Sequence, residues 1–240
     1  MQNPKIFAHR GFSSKYPENT LPAFEAAINL GVNGIEIDVQ FTKDGKIVIT
    51  HDEILERTTG TKGFVFSSTY EELLKLNFSN PMPEFAETKI PLLSELLDIL
   101  KNTNILLNVE LKNSIVEYAG LEGAVITMAK QYDMTERIIL SSFNHKSMVK
   151  AKEISKDVQT ALLYSCVLHD VVSYVKSTKA DAIHPLFWTI KEDLIIDCMK
   201  NNILIRPWTV DIPEYIEKMI ESKVDSIITN YPDIALSLLK

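Results

Sequence analysis

The feature that most narrows the fold is a rhythm. Eight short runs rich in aliphatic and β-branched residues recur along the chain: KIFAHRG, GIEIDVQ, ILLNVELK, RIILSSF, QTALLYS, DAIHPL, ILIRPWTV and DSIITNYP. Between most of them lie stretches with helical apolar spacing, such as LPAFEAAINL, LEGAVITMAKQY, VVSYVKS, EDLIIDCMKN and PEYIEKMIES. Strands that alternate with helices build a parallel sheet with the helices packed outside it. Eight units of roughly 30 residues match the βα repeat. The expected fold is therefore α/β, an eight-stranded β/α (TIM) barrel, with an open doubly wound sheet as the alternative. No linker rich in Pro, Gly or Ser interrupts the sequence, which predicts one domain over residues 1–240.

Local signals agree with this spacing. Thr20 stands where an N-cap belongs, Pro22 falls in the first turn of that helix, and Gly31 can end it. Ser68-Thr69-Tyr70-Glu71-Glu72 carries a capping box ahead of LLKL. Residues 41–90 break the rhythm. They separate the second strand from PLLSELLDIL and form an inserted hairpin and loop segment, too long for an ordinary connection.

Composition excludes several classes. A formal net charge of −7 argues against nucleic acid and anionic membrane as partners. It leaves room for a small anionic substrate held by a local cationic cluster. No apolar run is long enough to span a bilayer, so stable membrane insertion is not expected. Two cysteines, Cys166 and Cys198, without metal-type spacing, and no visible leader pattern, predict a reducing, cytoplasmic setting.

The chemistry is read from strand alternation. Glu36 and Asp38 share one face of GIEIDVQ, and Asn108, Glu110 and Lys112 share one face of ILLNVELK. With Asp44-Gly45 as a two-residue turn, Lys43 pairs with Lys46, and the count back sets Asp38 opposite His51. That register brings Glu36, Asp38 and His51 to one surface, and a slip of one residue turns His51 away. Carboxylates inside a barrel repel and are costly to bury alone. A divalent cation resolves the conflict, and an all-oxygen set suits Mg²⁺, Ca²⁺ or Mn²⁺ better than zinc. A solvated strand face is the competing explanation, as is a plain Glu110–Lys112 ion pair. His9 and Arg10 end the first strand. Two histidines beside carboxylates supply proton carriers near neutral pH, and arginine suits phosphate oxygens.

Taken in order, HRG at 9–11, PENTLPAF at 17–24, EIDVQFTKDG at 36–45, HD at 51–52, RTT at 57–59 and ELK at 110–112 resemble the glycerophosphodiester phosphodiesterases. IPLLSELL, SSF at 141–143, WTV at 208–210 and TNYPD at 229–233 extend the resemblance over essentially the whole chain. It implies a β/α barrel that hydrolyses small glycerophosphodiesters to glycerol 3-phosphate and an alcohol with one divalent metal ion. It implies that Glu36, Asp38 and Glu110 hold the metal, that His9 and His51 are the acid/base pair, and that Arg10 and Lys112 bind phosphate. It further implies that Trp208 lines the substrate pocket. Phe143 and His184, at or near strand ends, are further pocket candidates. Glu18 and Asn19 match the motif, with helix capping and support of the His9 loop as their expected roles.

Two stretches depart from the family pattern. Phe12-Ser13-Ser14 replaces the usual small residues and glycine, so the pocket rim is expected to differ there. Arg206-Pro207 precedes Trp208, and Arg206 is expected to pair within the barrel. His145, near a strand end, reads either as a pocket residue or as a capping or surface one, His169 as surface and Cys198 as core. Alternatives from other classes are a lysophospholipid phosphodiesterase, a Schiff-base enzyme using Lys112, and a non-catalytic phosphoester-binding barrel. Against the first stands the lack of an interfacial apolar helix or basic patch in the sequence.

Overall fold

The computed structural model describes residues 3–85 and 87–239. In chain order the elements are β1 (Lys5–His9), α1 (Leu21–Leu30), β2 (Gly34–Phe41), β3 (Ile47–Ile49), α2 (Glu56–Thr59), α3 (Tyr70–Leu73), α4 (Leu93–Leu100), β4 (Leu106–Leu111), α5 (Leu121–Gln131), β5 (Ile138–Ser142), α6 (His145–Ile154), β6 (Gln159–Tyr164), α7 (Val171–Thr178), β7 (Ala182–Pro185), α8 (Glu192–Lys200), β8 (Leu204–Ile205), α9 (Pro213–Glu221), β9 (Ser226–Thr229) and α10 (Pro232–Leu238).

Eight parallel strands stand in the order β8-β7-β6-β5-β4-β2-β1-β9. The two ends of that series meet through backbone bonds from Asp225 N–H to the Ile205 carbonyl and from Ile228 N–H to the Pro207 carbonyl, both 3.0 Å. This is the nearly closed β/α barrel that the alternation predicts. Alternate side chains of each strand divide between two cores. Ile35, Ile37 and Val39 of β2 face outward onto the main helix-packed core with Phe24 and Leu97. Phe7, Ile139, Ala161, Ala182 and Ile228 fill the floor of the barrel interior. Gly34 is required there, because a Cβ at that position would lie 2.4 Å from the Phe7 ring.

Helix α6, HKSMVKAKEI, had no apolar signal strong enough to reveal it. It buries only Ser147, Met148 and Ala151, and its place between β5 and β6 comes from the barrel. At α1, Thr20 is the N-cap by position, but its hydroxyl accepts no helix N–H and donates to the Pro17 carbonyl. The capping box at Thr69 and Glu72 forms as read.

The hairpin register differs from expectation by one residue. Phe41 pairs with Ile47, Gln40 with Val48 and Val39 with Ile49. The turn is three residues long, Lys43-Asp44-Gly45, with Gly45 at φ 75°. Thr42 closes it: its Oγ1 accepts from Lys46 N–H at 2.9 Å and donates to Asp44 Oδ1 at 2.7 Å. The extra turn residue is accommodated by the left-handed glycine that such loops require. Asp38 is therefore level with Thr50, whose N–H reaches the Asp38 carbonyl at 2.9 Å, and not with His51. Beyond β3 the segment has its own small core of Val48, Leu55, Val65, Leu73, Phe78 and Ile90.

Candidate active site

Parallel register sets the carboxylates. Glu36 of β2 is level with His9 of β1 and with Asn108 of β4, and Asp38 is level with Glu110. The three acids point into the barrel near its C-terminal end, all buried. A ligand oxygen from each lies within 4.8 Å of the others.

Burial, then Asp38 and Glu110, hold the Glu36 carboxyl well above its usual range. Burial and Asp38 likewise raise Glu110. For Asp38 burial acts upward as well, but His51, Arg10 and Lys112 outweigh it and keep the group ionised, down to about 2. Three buried acids that cannot all ionise together are a charge deficit awaiting a cation. Asp38 Oδ1 is buried and has no hydrogen-bond partner, while its Oδ2 accepts from Asn19 Nδ2 at 2.8 Å. An orphaned carboxylate oxygen facing two further acids fits a hard divalent ion held by Glu36, Asp38 and Glu110.

His9 and His51 flank this cluster. His9 Nδ1 donates to Asn230 Oδ1 at 2.7 Å, leaving Nε2 on the side of Glu36, 3.8 Å from its Oε2. Asn230 is itself clamped by Asp211, which accepts from its Nδ2 at 2.6 Å and its N–H at 2.8 Å. Burial and the adjacent Arg10 push His9 down to about 4, so the ring is neutral.

His51 reaches the site although the register turns it off the strand face. β3 stops at Ile49, and the Gln40 side-chain amide gathers the carbonyls of Thr50, His51 and Asp52 at 2.9–3.1 Å. Tyr118 O–H fixes that amide from the other side at 3.0 Å. His51 Nε2 then lies 3.2 Å from Lys112 Nζ, and its Nδ1 lies 2.6 Å from Asp52 Oδ1. Glu110 and Asp38 raise the Lys112 ammonium against its burial. A charged lysine can only donate, so Nε2 accepts and the Nδ1 hydrogen goes to Asp52.

Arg10 has φ 56°, and its N–H donates to Glu36 Oε2 at 3.1 Å. Its guanidinium donates to Glu18 Oε1 at 2.8 Å and sits 3.4 Å from Asp38 Oδ2. That contact is made by Nε, which is buried and faces Asp38 Oδ2 without forming a hydrogen bond. Glu18 also accepts two bonds from Arg57, at 2.8 and 2.7 Å, and Arg57 grips Asp52 at 2.6 and 3.1 Å. One chain of ion pairs therefore runs from His51 through Asp52, Arg57 and Glu18 to Arg10.

Trp208 donates its indole N–H to the His184 carbonyl at 2.7 Å and meets Phe143 edge-on at 5.5 Å. Phe143 is partly exposed beside it. His184 is fully buried, with both ring nitrogens unpartnered, so its ring meets no open surface of the pocket. Burial and Arg206 drive its pKa well below the ordinary value. Arg206 turns away from the site, to Asp225 at 2.8 Å and Gln159 at 3.0 Å. His145 bonds the Leu163 carbonyl and Tyr174, outside the cluster.

Three participants escaped the sequence reading: Asn230 orients His9, Asp52 orients His51, and Arg57 joins the two sides. Asn19, expected to cap the helix and support the His9 loop, instead orients Asp38. Each lies within a quoted motif, which was the available signal, but only contact reveals the task. Of Phe12-Ser13-Ser14, Phe12 packs in the main core, and Ser13 Oγ donates to Asn230 Oδ1 at 2.7 Å.

The model of the glycerophosphoryl diester phosphodiesterase family matches residues 9–234. A glycerophosphodiester phosphodiesterase of Caldanaerobacter subterraneus is 41% identical over 98% of this chain and 97% of its own length. The uncharacterised YqiK of Bacillus subtilis is 40% identical over 98% of each chain. Among solved structures, a phosphodiesterase of Oleispira antarctica in complex with the product sn-glycerol-3-phosphate aligns with a TM-score of 0.90 at 26% identity, covering 99% of this chain and 97% of that one.

Proposed function

This chain belongs to the glycerophosphoryl diester phosphodiesterase family, and from that premise we propose that it hydrolyses small glycerophosphodiesters to glycerol 3-phosphate and an alcohol. The observation that carries the reading is the arrangement of the two histidines. Each has Nδ1 tied to an orienting residue, while His9 Nε2 faces Glu36 and His51 Nε2 faces Lys112, itself bonded to Glu110. Glu36, Asp38 and Glu110 hold one divalent ion, Mg²⁺, Ca²⁺ or Mn²⁺. When bound, such an ion supplies Lewis-acid stabilisation of phosphoryl oxygens.

The chain's own groups do the rest. Arg10 and Lys112 bind the phosphodiester oxygens and stabilise charge as it develops there. One histidine takes the proton of the nucleophile and the other protonates the leaving alkoxide. The nucleophile is water, or the 2-hydroxyl of the substrate's glycerol on a cyclic route. Trp208 lines the alcohol or glycerol side with Phe143 packed on it. The grouping of three acids with His9, His51, Arg10 and Lys112 favours a catalytic reading over a non-catalytic barrel. The reading takes residues 1–240 as one catalytic domain with 41–90 inserted, working in the cytoplasm with both thiols free. No helix among the described residues is long and apolar enough to cross a membrane.

The test is a panel of glycerophosphodiesters given after chelation with Mg²⁺, Ca²⁺ or Mn²⁺ restored singly, followed by phosphorus NMR. Glycerol 3-phosphate appearing only with a cation is expected. Turnover indifferent to chelation, or no turnover of any diester, overturns the proposal.

A further inference from the structure

Every polar atom of Asn230 has a partner. Its N–H and its side-chain NH2 donate to the two oxygens of Asp211 at 2.8 and 2.6 Å, and its carbonyl accepts from Ser14 N–H at 3.2 Å. Its Oδ1 faces His9 Nδ1 and Ser13 Oγ, each at 2.7 Å. Asp211 is fixed in turn. Thr229 Oγ1 donates to its Oδ1 at 3.0 Å, and the neighbouring Val210 N–H bonds the Ile228 carbonyl at 3.0 Å. Asp211 stands on the loop after β8, in the same short stretch as Trp208, and reaches His9 through Asn230.

An amide turned end for end keeps its shape but exchanges an acceptor for donors, so its partners decide which way it lies. A carboxylate only accepts, so the end of Asn230 that faces Asp211 has to be the NH2. The amide oxygen is then presented to His9. Oxygen accepts, so the hydrogen of the neutral ring sits on Nδ1, and Nε2 keeps its lone pair on the side of Glu36. With the amide reversed, the NH2 would meet His9 and Nδ1 would have to accept. The ring hydrogen would pass to Nε2, 3.8 Å from Glu36 Oε2, and the lone pair would be lost from the site. His51 needs no such intermediary, because the Asp52 carboxylate lies directly on its Nδ1 at 2.6 Å.

We propose that Asp211 is a positioning residue: by fixing the direction of the Asn230 amide it holds His9 in the Nδ1–H tautomer, with Nε2 the nitrogen that exchanges a proton with substrate. One loop therefore carries both Trp208 and the residue that aims His9. The effect on turnover rests on the catalytic reading given above; the hold on the tautomer does not.

The experiment uses Mg²⁺-loaded protein with isotope-labelled histidine and nitrogen NMR at mildly alkaline pH, the His9 signals being those that His9→Gln removes. In the parent protein His9 should carry its hydrogen on Nδ1. Asp211→Asn keeps the size of the side chain and can still accept from the Asn230 N–H, but it no longer demands a donor. It should show both His9 tautomers, and kcat on glycerophosphocholine should fall by roughly tenfold with KM unchanged. Adding Asn230→Asp sets an obligatory acceptor directly on His9 Nδ1, with the new amide at position 211 donating to it. This double exchange should restore the Nδ1–H tautomer and most of kcat. A residue that only tied two loops together would leave the tautomer alone in the single variant. An Nε2–H ring in the parent protein, a reading that needs no variant to fold, overturns the proposal. So does an unchanged tautomer in Asp211→Asn, a tautomer that the double exchange does not bring back, or a shifted tautomer with kcat unaltered. If the tautomers respond as expected but the parent protein cleaves no diester, the catalytic reading fails and the hold of Asp211 on His9 stands.

Discussion

Lys112 Nζ and His51 Nε2 lie 3.2 Å apart, and the contact joins the third barrel strand to a loop of the inserted segment. In the proposed mechanism it sets which nitrogen of His51 would exchange a proton with substrate: a phosphodiester that took the ammonium as partner would release Nε2, with Asp52 still holding Nδ1. Removing either histidine should lower kcat by roughly 10²–10⁴-fold. For His9→Ala and His51→Ala, circular dichroism and cation titration should be unchanged. Full activity in either single variant would refute the acid/base assignment.

The Asn19–Asp38 bond at 2.8 Å points to a second expectation. Asn19 leaves Asp38 Oδ1 as the free oxygen, so Asn19→Ala should weaken divalent-cation affinity by roughly 10–100-fold. Glu36→Gln should weaken it as well. Calorimetric titration with Mn²⁺ checks both, and an unchanged isotherm for Glu36→Gln contradicts the ligand set.

Arg57 touches neither carboxylate cluster nor histidine, yet it grips Asp52 and Glu18 with paired bonds. Arg57→Gln should reduce kcat by about tenfold, as loss of an orienting partner does. The pH–rate profile should move with it, and Arg57→Lys should restore only part of the rate because one ammonium cannot span both forks. A profile identical to that of the parent protein would reduce Arg57 to a structural ion pair.

Acid should destabilise the fold through His184. Its folded pKa lies well below the ordinary 6.5 because burial and Arg206 disfavour the charged ring. Between those two values the unfolded chain binds a proton that the native ring refuses. Stability therefore falls as pH drops below about 6.5, by about 1.4 kcal/mol per pH unit for one such group. Urea unfolding at pH 7, 6 and 5 in chelator should show this slope, and His184→Met should lessen it by about one proton. An unaltered slope in that variant would mean that His184 is not the group responsible.

Much of the site was legible because a barrel strand exposes its chemistry by alternation. Glu36 with Asp38, and Asn108 with Glu110, could be assigned to one face from spacing alone. Parallel neighbours then had to bring those faces together. His51 was harder. The Asp-Gly signal located the hairpin, but whether its turn held two residues or three depended on the Thr42 side chain closing the loop. The histidine arrived by another route, through Gln40 drawing in the chain after β3. Helix α6 was hidden for a related reason: a polar segment becomes a helix when the strands on either side demand a crossover of that length.

The sequence by itself determined the barrel, the strand faces, the acidic set and the two histidines at strand ends, because periodicity and residue chemistry are local properties. Only the tertiary structure decided how those histidines are aimed, through Asn230 and Asp52, and how Arg57 ties the inserted segment to the first barrel loop. Contacts between residues far apart in the chain depend on how the whole sheet closes, and no single segment carries that information.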